Sequence, residues 1–386
     1  MNSAATAISA DYGSEETAMQ AYLAEGERKA FALKNRGPIR YTPDGKIDPA
    51  ILDAYWRYGF YVFEGVLGAG ELADIEVDFQ EILGRLPSEK GSPVDATGRP
   101  ALAHGCQAHS LFWSKPLGDP FGGTKFGNGR HPVKMIEPHP ADDAPEEIVY
   151  LILGSLQFSD ACLRTYGHPD LLAVAAAVNG DDFVPYTDAL FIKAPGLGAS
   201  VAWHQDGITH WDSPHWDQGS HGFNFMGQLY GCTPANGVWV VPGSHKVGRV
   251  DIKAKVAEAG TERLPDAVPM VCQPGDVVIS NRQLLHGSFA NTSEDWRVTV
   301  NMGFHRRASV LGVRGGGLLG KETVYDEDHI KQRSRTIGYA IKARHQRFPE
   351  ETPHVYRPFA EAGETYQWDA AAKASLEDYN LLDMGV

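Results

Sequence analysis

The spacing of apolar side chains divides the chain into helical and strand-like stretches. Apolar residues recur every three or four positions in 48–60 and 69–86, which is the period of an amphipathic helix. A high density of helix-forming residues predicts a helical arm within 1–47 and more helix within 145–180. From about 183 to 306, short β-rich runs alternate with turn residues, and this pattern favours a sandwich or barrel.

Two stretches lie outside this pattern. Residues 88–150 are rich in Pro, Gly and His, and their apolar residues follow neither the helical nor the strand period. We therefore expect long loops over the core, and loops of this length often carry function. Residues 307–386 are expected to be a helical and loop-rich extension packed on the same domain. Residues 48–306, with the loops of 88–150 as an insertion, are predicted to be one domain of mainly β core with peripheral helices.

The amino-acid composition limits the kinds of molecule that the chain is expected to bind. The 386 residues include 35 Lys and Arg against 49 Asp and Glu, for a net charge of −14, so a general basic field for nucleic acid or an anionic membrane is not expected. No stretch is apolar for long enough to cross a bilayer, and the N-terminus lacks the pattern of a Sec signal peptide. The four cysteines are far apart in sequence, which is typical of reduced thiols in a cytoplasmic protein.

The chemistry begins with a His-x-Asp triplet, which occurs four times and starts at His168, His204, His210 and His215. Residues two apart on a strand share a face, so the imidazole and the carboxylate can meet one metal. With a distant second histidine, they make the two-histidine, one-carboxylate site of non-haem Fe(II) oxygenases. Only His204 ends a β-like run, SVAWH, with Asp206 before an open turn, and we therefore favour this triplet.

A second histidine is expected from a later strand. His286 follows a β-like run and precedes Gly287, and Arg297 opens another β-run eleven residues on. A guanidinium buried beside a metal is costly unless it meets an anion. A dicarboxylate cosubstrate would supply one, because the arginine fork grips a carboxylate through two bonds. Ser288 shares the strand face of His286 and could add a hydroxyl.

These motifs together resemble one enzyme family. The chain resembles the phytanoyl-CoA dioxygenase family in a series of motifs. They are WHQDG (203–207), NGVWVVPGSH (236–245), PGD and HGS at the two ends of 274–288, and then Arg297. The likeness spans roughly 48–306, with a gap across the long loops. It implies a double-stranded β-helix (jelly roll), and a non-haem Fe(II)- and 2-oxoglutarate-dependent dioxygenase that uses O2 and releases succinate and CO2.

The resemblance also implies roles for particular residues. Those implied to hold iron and carry the reaction are His204, Asp206 and His286. Those implied to hold 2-oxoglutarate are Arg297, Ser288, Lys193 and Thr187, the last two because they share parity on the strand before the triplet. The expected reaction is hydroxylation of a small organic molecule.

The substrate side is less defined. The segment 208–225 packs three His, two Trp and two Phe into eighteen residues, either as a packed surface loop or as an aromatic wall that closes the site. The basic residues around 305–314 are either a solvated strand end or a site for an anionic group. The candidate substrate contacts are His210, Trp211, Trp216, Phe223 and Met226.

Two other functions stay open. The chain could be a non-catalytic jelly-roll protein that keeps a metal or ligand site as structure. It could also be a cupin-type oxygenase that works without 2-oxoglutarate. Arg297 and Ser288 argue against the first alternative, because a purely structural metal needs no carboxylate clamp.

Overall fold

The computed structural model describes residues 10–206, 222–316 and 322–383. Two β-sheets enclose a cavity between them. The larger sheet has the strand order β1-β2-β10-β7-β12-β5-β4-β3, and the smaller has the order β6-β11-β8-β9. The strands are β1 (Arg36–Gly37), β2 (Phe60–Phe63), β3 (Leu111–Ser114), β4 (Ile148–Leu153), β5 (Val184–Lys193), β6 (Val201–His204), β7 (Gly222–Gln228), β8 (Trp239–Val240), β9 (Val268–Pro269), β10 (Val277–Asn281), β11 (His286–Ser288), β12 (Arg297–His305), β13 (Arg314–Gly316) and β14 (Glu322–Val324).

Both sheets are antiparallel, apart from the parallel pair β1 and β2 at one edge. The predicted mainly β core is therefore confirmed as a double-stranded β-helix. Helices surround it. They are α1 (Glu16–Ala32), α2 (Pro49–Tyr58), α3 (Ala69–Gly84), α4 (Phe126–Gly129), α5 (Asp160–Tyr166), α6 (Pro169–Asn179), α7 (Ile252–Ala259), α8 (Arg307–Val310), α9 (Glu327–Arg347), α10 (Arg357–Ala362) and α11 (Ala370–Ala374).

Local sequence explains where the helices start. Asp48 caps α2 by accepting a hydrogen bond from the Ala50 amide, and a proline occupies the first turn. His168 caps α6 in the same way, because its Nδ1 accepts from the Asp170 amide. The His168 triplet is thus a helix cap rather than a metal site.

The main hydrophobic core lies between the larger sheet and the helices on its outer face. Phe223 and Phe225 of β7 point into this core and pack against Phe304 of β12. Since side chains alternate along a strand, Asn224 and Met226 face the cavity between the sheets. Strand β7 therefore contributes one face to the core and the other to the cavity.

One sequence expectation was wrong. Residues 148–153, expected to be helical, form β4 between β3 and β5. The run IVYLIL is apolar throughout because both faces of β4 are covered, so it lacks a strand's alternation, although its β-branched residues favour a strand. The stretch 88–150 is mostly irregular, but it also contributes β3 to the edge of the sheet.

The C-terminal residues pack on the same core. Arg333 of α9 is buried and contacts two carboxylates, Asp383 near the C-terminus at 2.6 Å and Asp188 of β5 at 3.4 Å. Asp188 also accepts a hydrogen bond from the Ser155 hydroxyl. Across the three described ranges, no helix is long and apolar enough to cross a membrane.

Candidate metal centre

Three potential metal ligands meet at one end of the smaller sheet. His204 ends β6 and His286 opens β11, and the two are direct cross-strand partners. The Nε2 atom of His204 lies 3.5 Å from one carboxylate oxygen of Asp206, and Nε2 of His286 lies 3.9 Å from the other. One ligand atom from each residue falls within 4.8 Å of the others. The strand pairing therefore assembles two nitrogens and a carboxylate from distant parts of the sequence.

Backbone carbonyls orient both imidazoles. Nδ1 of His204 lies 2.8 Å from the Ala202 carbonyl oxygen, and Nδ1 of His286 lies 2.8 Å from that of Leu284. A carbonyl oxygen can only accept a hydrogen bond, so each Nδ1 carries the proton and each Nε2 keeps its lone pair. Both rings thus present the nitrogen that a metal needs.

The turn after β6 is fixed by Gln205 and by the Asp206 backbone. The Asp206 amide donates to the Arg282 carbonyl oxygen over 2.8 Å. The Gln205 side chain donates to the Gln283 carbonyl oxygen and accepts from the Val250 amide. These bonds hold the Asp206 carboxylate beside the two histidines.

The electrostatics match the protonation states that ligation requires. Burial lowers the pKa of His204 well below its usual value, and it also lowers the pKa of His286. Burial alone would raise the pKa of Asp206, but the Arg130 guanidinium and His286 outweigh it, and this pKa falls below its ordinary range. At neutral pH the site thus offers two neutral imidazoles and one carboxylate. This donor set fits a divalent transition metal such as Fe(II).

Arg297 lies in the same cavity, at the start of β12. Its side chain is buried, and its Nε donates to the Thr299 hydroxyl, which in turn donates to Gln228. Arg297 forms no ion pair with any carboxylate of the described ranges. A buried guanidinium without an anion is unfavourable, so this position calls for a negatively charged ligand.

Of the other residues expected to hold that ligand, Lys193 pairs with Arg297, whereas Thr187 lies six residues further along β5. Ser288 and Thr187 line the cavity. Lys193 does not line it, but pairs in register with Arg297 and donates from Nζ to the Ser288 hydroxyl over 2.9 Å and to the Phe289 carbonyl. Because Lys193 occupies an acceptor site of the Ser288 oxygen, the Ser288 hydrogen is free to point into the cavity.

The predicted substrate contacts divide into three groups. Met226 lines the cavity. Phe223 does not, and its prediction was wrong, because its odd separation from Met226 turns its ring to the opposite face of β7. Trp211, His210 and Trp216 lie outside the described residues.

Several lining residues were missed by sequence reasoning. Asn224 of β7 lies 3.3 Å from an Asp206 oxygen and could have been found from its parity with Met226. The other missed residues all come from the irregular stretch 88–150, where no periodicity marks them. They are Phe112, Phe121, Phe126, Arg130 and His131.

Arg130 and His131 bring that stretch to the metal centre. Nη1 of Arg130 donates to Asp206 over 2.7 Å. The His131 ring lies between those of Phe121 and His204, at centroid distances of 5.1 and 4.3 Å, and neither His131 nitrogen has a hydrogen-bond partner among the described residues. Burial lowers the pKa of His131 to about 2, so this ring is neutral at physiological pH.

Asp119 holds the loop that carries these residues. Its carboxylate accepts hydrogen bonds from the amides of Gly122 and Met135, at 2.9 and 2.8 Å, which ties together two distant points of the loop. Gly127 has a φ of +54°, and a Cβ there would lie 3.1 Å from Nε of Arg130. The glycine thus permits both the turn and the close return of Arg130.

Two other features of the sequence have structural partners. His245, the last residue of NGVWVVPGSH, is buried, and its Nε2 lies 3.0 Å from the Trp56 carbonyl oxygen. In the basic stretch, His305 is buried against Arg282 rather than solvated, and Arg307 forms an ion pair with Glu327.

Comparisons with known proteins agree with this geometry. The phytanoyl-CoA dioxygenase (PhyH) family model matches residues 55–299. Phytanoyl-CoA dioxygenase 1 of Oryza sativa subsp. japonica is 33% identical over 109 residues, which are 26% of this chain and 37% of that protein. Dioxygenase lolE1 of Epichloe uncinata is 29% identical over 137 residues, or 35% of this chain and 50% of that protein. The matches thus span half or less of these relatives' lengths.

A similar solved structure is that of EctD from S. alaskensis with 2-oxoglutarate and 5-hydroxyectoine. It is 20% identical, with a TM-score of 0.48, and the match covers 73% of this chain and 83% of that one.

Proposed function

This chain belongs to the phytanoyl-CoA dioxygenase family, and from that membership we propose that it is a non-haem Fe(II)- and 2-oxoglutarate-dependent dioxygenase. Its proposed reaction hydroxylates a small organic substrate and releases succinate and CO2. The observation that carries the proposal is the buried Arg297, which has no described carboxylate partner and shares a cavity with three metal-ligand side chains. A structural metal alone would leave that guanidinium unexplained.

In this proposal His204, Asp206 and His286 hold the iron. When bound, Fe(II) supplies the activation of O2, and 2-oxoglutarate supplies electrons through its decarboxylation. The chain contributes the geometry. Its two strands fix the imidazole nitrogens, and the Arg282 carbonyl anchors the backbone beside the carboxylate. None of the three ligands has to change its protonation state when the metal binds at neutral pH.

The proposed cosubstrate site uses Arg297 and Ser288 for the far carboxylate of 2-oxoglutarate. Arg297 presents its fork from β12, while Lys193 orients the Ser288 hydroxyl. Thr187 also lines the cavity, but it lies six residues along β5 from Lys193, the register partner of Arg297. The enclosing side chains are mostly apolar, so they exclude water and strengthen each of these polar contacts.

Oxygen-dependent formation of succinate tests the proposal. Protein loaded with Fe(II) and given 2-oxoglutarate should produce succinate with a suitable member of a substrate panel. His204→Ala and Asp206→Ala should abolish turnover, while His104→Ala, an exposed histidine on the loop stretch, should not. Arg297→Ala should mainly raise the KM for 2-oxoglutarate. An unchanged KM, or no succinate from the loaded protein, would count against the assignment.

Calorimetric titration with N-oxalylglycine separates the remaining candidates. The proposed dioxygenase binds this 2-oxoglutarate analogue when a divalent metal is present. A non-catalytic jelly-roll protein or an oxygenase that does not use 2-oxoglutarate would not. We also propose a cytoplasmic location, which the four free cysteines of the chain support.

A further inference from the structure

The loop stretch gives the cavity an apolar wall. The rings of Phe121 and Phe126 stack with their centroids 4.5 Å apart and an interplanar angle of 14°. Phe112 of β3 meets Phe126 edge to face at 6.2 Å. All three rings line the cavity that also contains the metal ligands. An aromatic wall of this kind fits the hydrocarbon part of a ligand.

Arg130 places one charged group beside this wall. Its side chain is 11% exposed, and Nη1 is occupied by the carboxylate of Asp206. Nε is buried without a partner, and Nη2 forms no hydrogen bond with any residue of the described ranges. The edge of the guanidinium formed by Nε and Nη2 therefore has no acceptor among the described residues.

The charges around the cavity indicate which kind of ligand would bind the Nε–Nη2 edge of Arg130. Among the described lining residues, Asp206 is the one carboxylate, whereas Arg130 and Arg297 are both cations. The proposed divalent iron and doubly charged 2-oxoglutarate cancel one another. Asp206 then balances one guanidinium and leaves the other without a counter-charge in a mostly apolar cavity. A further anion would remove this cost.

We propose that Arg130 determines the substrate class, and that the substrate is a small apolar carboxylic acid. Its carboxylate binds the Nε–Nη2 edge of Arg130, and its hydrocarbon body lies on the wall of Phe112, Phe121 and Phe126. The planar edge matches the two oxygens of a carboxylate. An amide, ester or thioester of the same acid leaves the guanidinium unpaired and binds more weakly. This inference rests on the proposed dioxygenase function.

Direct binding tests the inference without turnover. The protein is loaded with Mn(II) and N-oxalylglycine and titrated by calorimetry with six acids and their primary amides. The acids are phenylacetate, 3-phenylpropanoate, cinnamate, hexanoate, octanoate and decanoate. At least one acid should bind about tenfold more tightly than its amide, as expected for a charge-assisted pair in a desolvated site. If no acid binds more tightly than its amide, the inference is wrong.

Variants assign that preference to Arg130. Arg130→Gln should weaken binding of the preferred acid about tenfold and leave binding of its amide unchanged. Arg130→Lys keeps a cation and should retain part of the preference. Lys125→Gln removes an exposed charge from the same loop and should have no effect. An acid preference that survives in Arg130→Gln would overturn the assignment, provided that the variant keeps its unfolding temperature.

The affinity for N-oxalylglycine separates this inference from the proposed function. Arg130→Gln should bind N-oxalylglycine within about twofold of the unmodified protein, whereas Arg297→Gln should lose most of that binding. If Arg130→Gln loses it as well, Arg130 serves the cosubstrate and the inference fails. If the unmodified protein does not bind N-oxalylglycine, the dioxygenase assignment fails first.

Discussion

Lys193 shows how a residue outside the cavity can act on a ligand within it. It touches neither the cavity nor the metal ligands, but it holds the Ser288 oxygen and the Phe289 carbonyl. Burial, with Arg297 nearby, lowers the pKa of Lys193 well below its usual value. Either protonation state of the amine can still donate to Ser288. Its effect on the cosubstrate is therefore one of orientation.

We expect Lys193→Met to weaken 2-oxoglutarate binding about fivefold, which is the effect of losing one hydrogen bond of roughly 1 kcal/mol. Methionine keeps most of the buried volume. Mn(II) affinity should not change, since no metal ligand contacts Lys193. Titration calorimetry measures both constants, and Ser288→Ala is the matched comparison. Equal losses of metal and 2-oxoglutarate binding would indicate a general structural effect instead.

His168 links a helix cap to acid stability. Burial lowers its pKa to about 3, with Arg344 adding to the effect. The unfolded chain binds a proton near pH 6.5, whereas the folded protein does not, so the stability from this residue is complete above pH 6.5. It is lost as the pH falls from there toward 3, by about 1.4 kcal/mol per pH unit.

His168→Asn separates the cap from the charge, because asparagine can cap a helix but does not titrate. Urea unfolding at pH 7.5 and 5.5 should show a smaller loss of stability in the variant, by about 1.4 kcal/mol. An equal loss in both proteins would show that His168 does not contribute to the acid sensitivity.

At the scale of elements, the loop between Asp119 and Met135 is held by a few hydrogen bonds rather than by regular secondary structure. The Asp119 carboxylate accepts from three amides, of which two are Gly122 and Met135. Asp119→Ala should raise the hydrogen-exchange rates of these amides about fivefold, because each loses a bond of roughly 1 kcal/mol and the loop opens more often. Asp143→Ala, which removes an exposed carboxylate outside this loop, is the control. Unchanged exchange would mean that the loop is held elsewhere.

The strands and loops also explain which residues of the candidate site could be predicted from the sequence. His204 and Asp206 share a strand end, and His286 begins a later strand, so local spacing identifies them. Arg130 reaches Asp206 across 76 residues through a loop closed by Asp119, and no local pattern encodes that approach.

The alternation of side chains along a strand explains why Phe223 was wrongly predicted to contact the substrate. It lies three residues from Met226, and side chains separated by an odd number on a strand face opposite ways. Asn224, with the parity of Met226, reaches the cavity instead. The error at 148–153 has a related cause, because β4 is covered on both faces and so lacks the alternation that identifies a strand.

At the scale of the whole molecule, the C-terminal extension is joined to the larger sheet by ion pairs. Arg333→Met in α9 would leave Asp188 and Asp383 buried without their cation, and should lower the free energy of unfolding by about 3–5 kcal/mol. Arg335→Met, two residues away and exposed, should change it by less than about 0.5 kcal/mol. Chemical denaturation compares the two, and similar stabilities would contradict the role given to Arg333.

The hydrogen bonds from the two imidazoles to carbonyls of their own strands have a consequence for protein engineering. The metal ligands take their orientation from the backbone of β6 and β11, while the loop stretch touches them through Arg130 and His131. In the proposed dioxygenase, the strands thus orient the two imidazoles whichever loop lies over them. A designer who transplants a different loop to change the substrate would have to replace only the contacts of Arg130 and His131 with this centre.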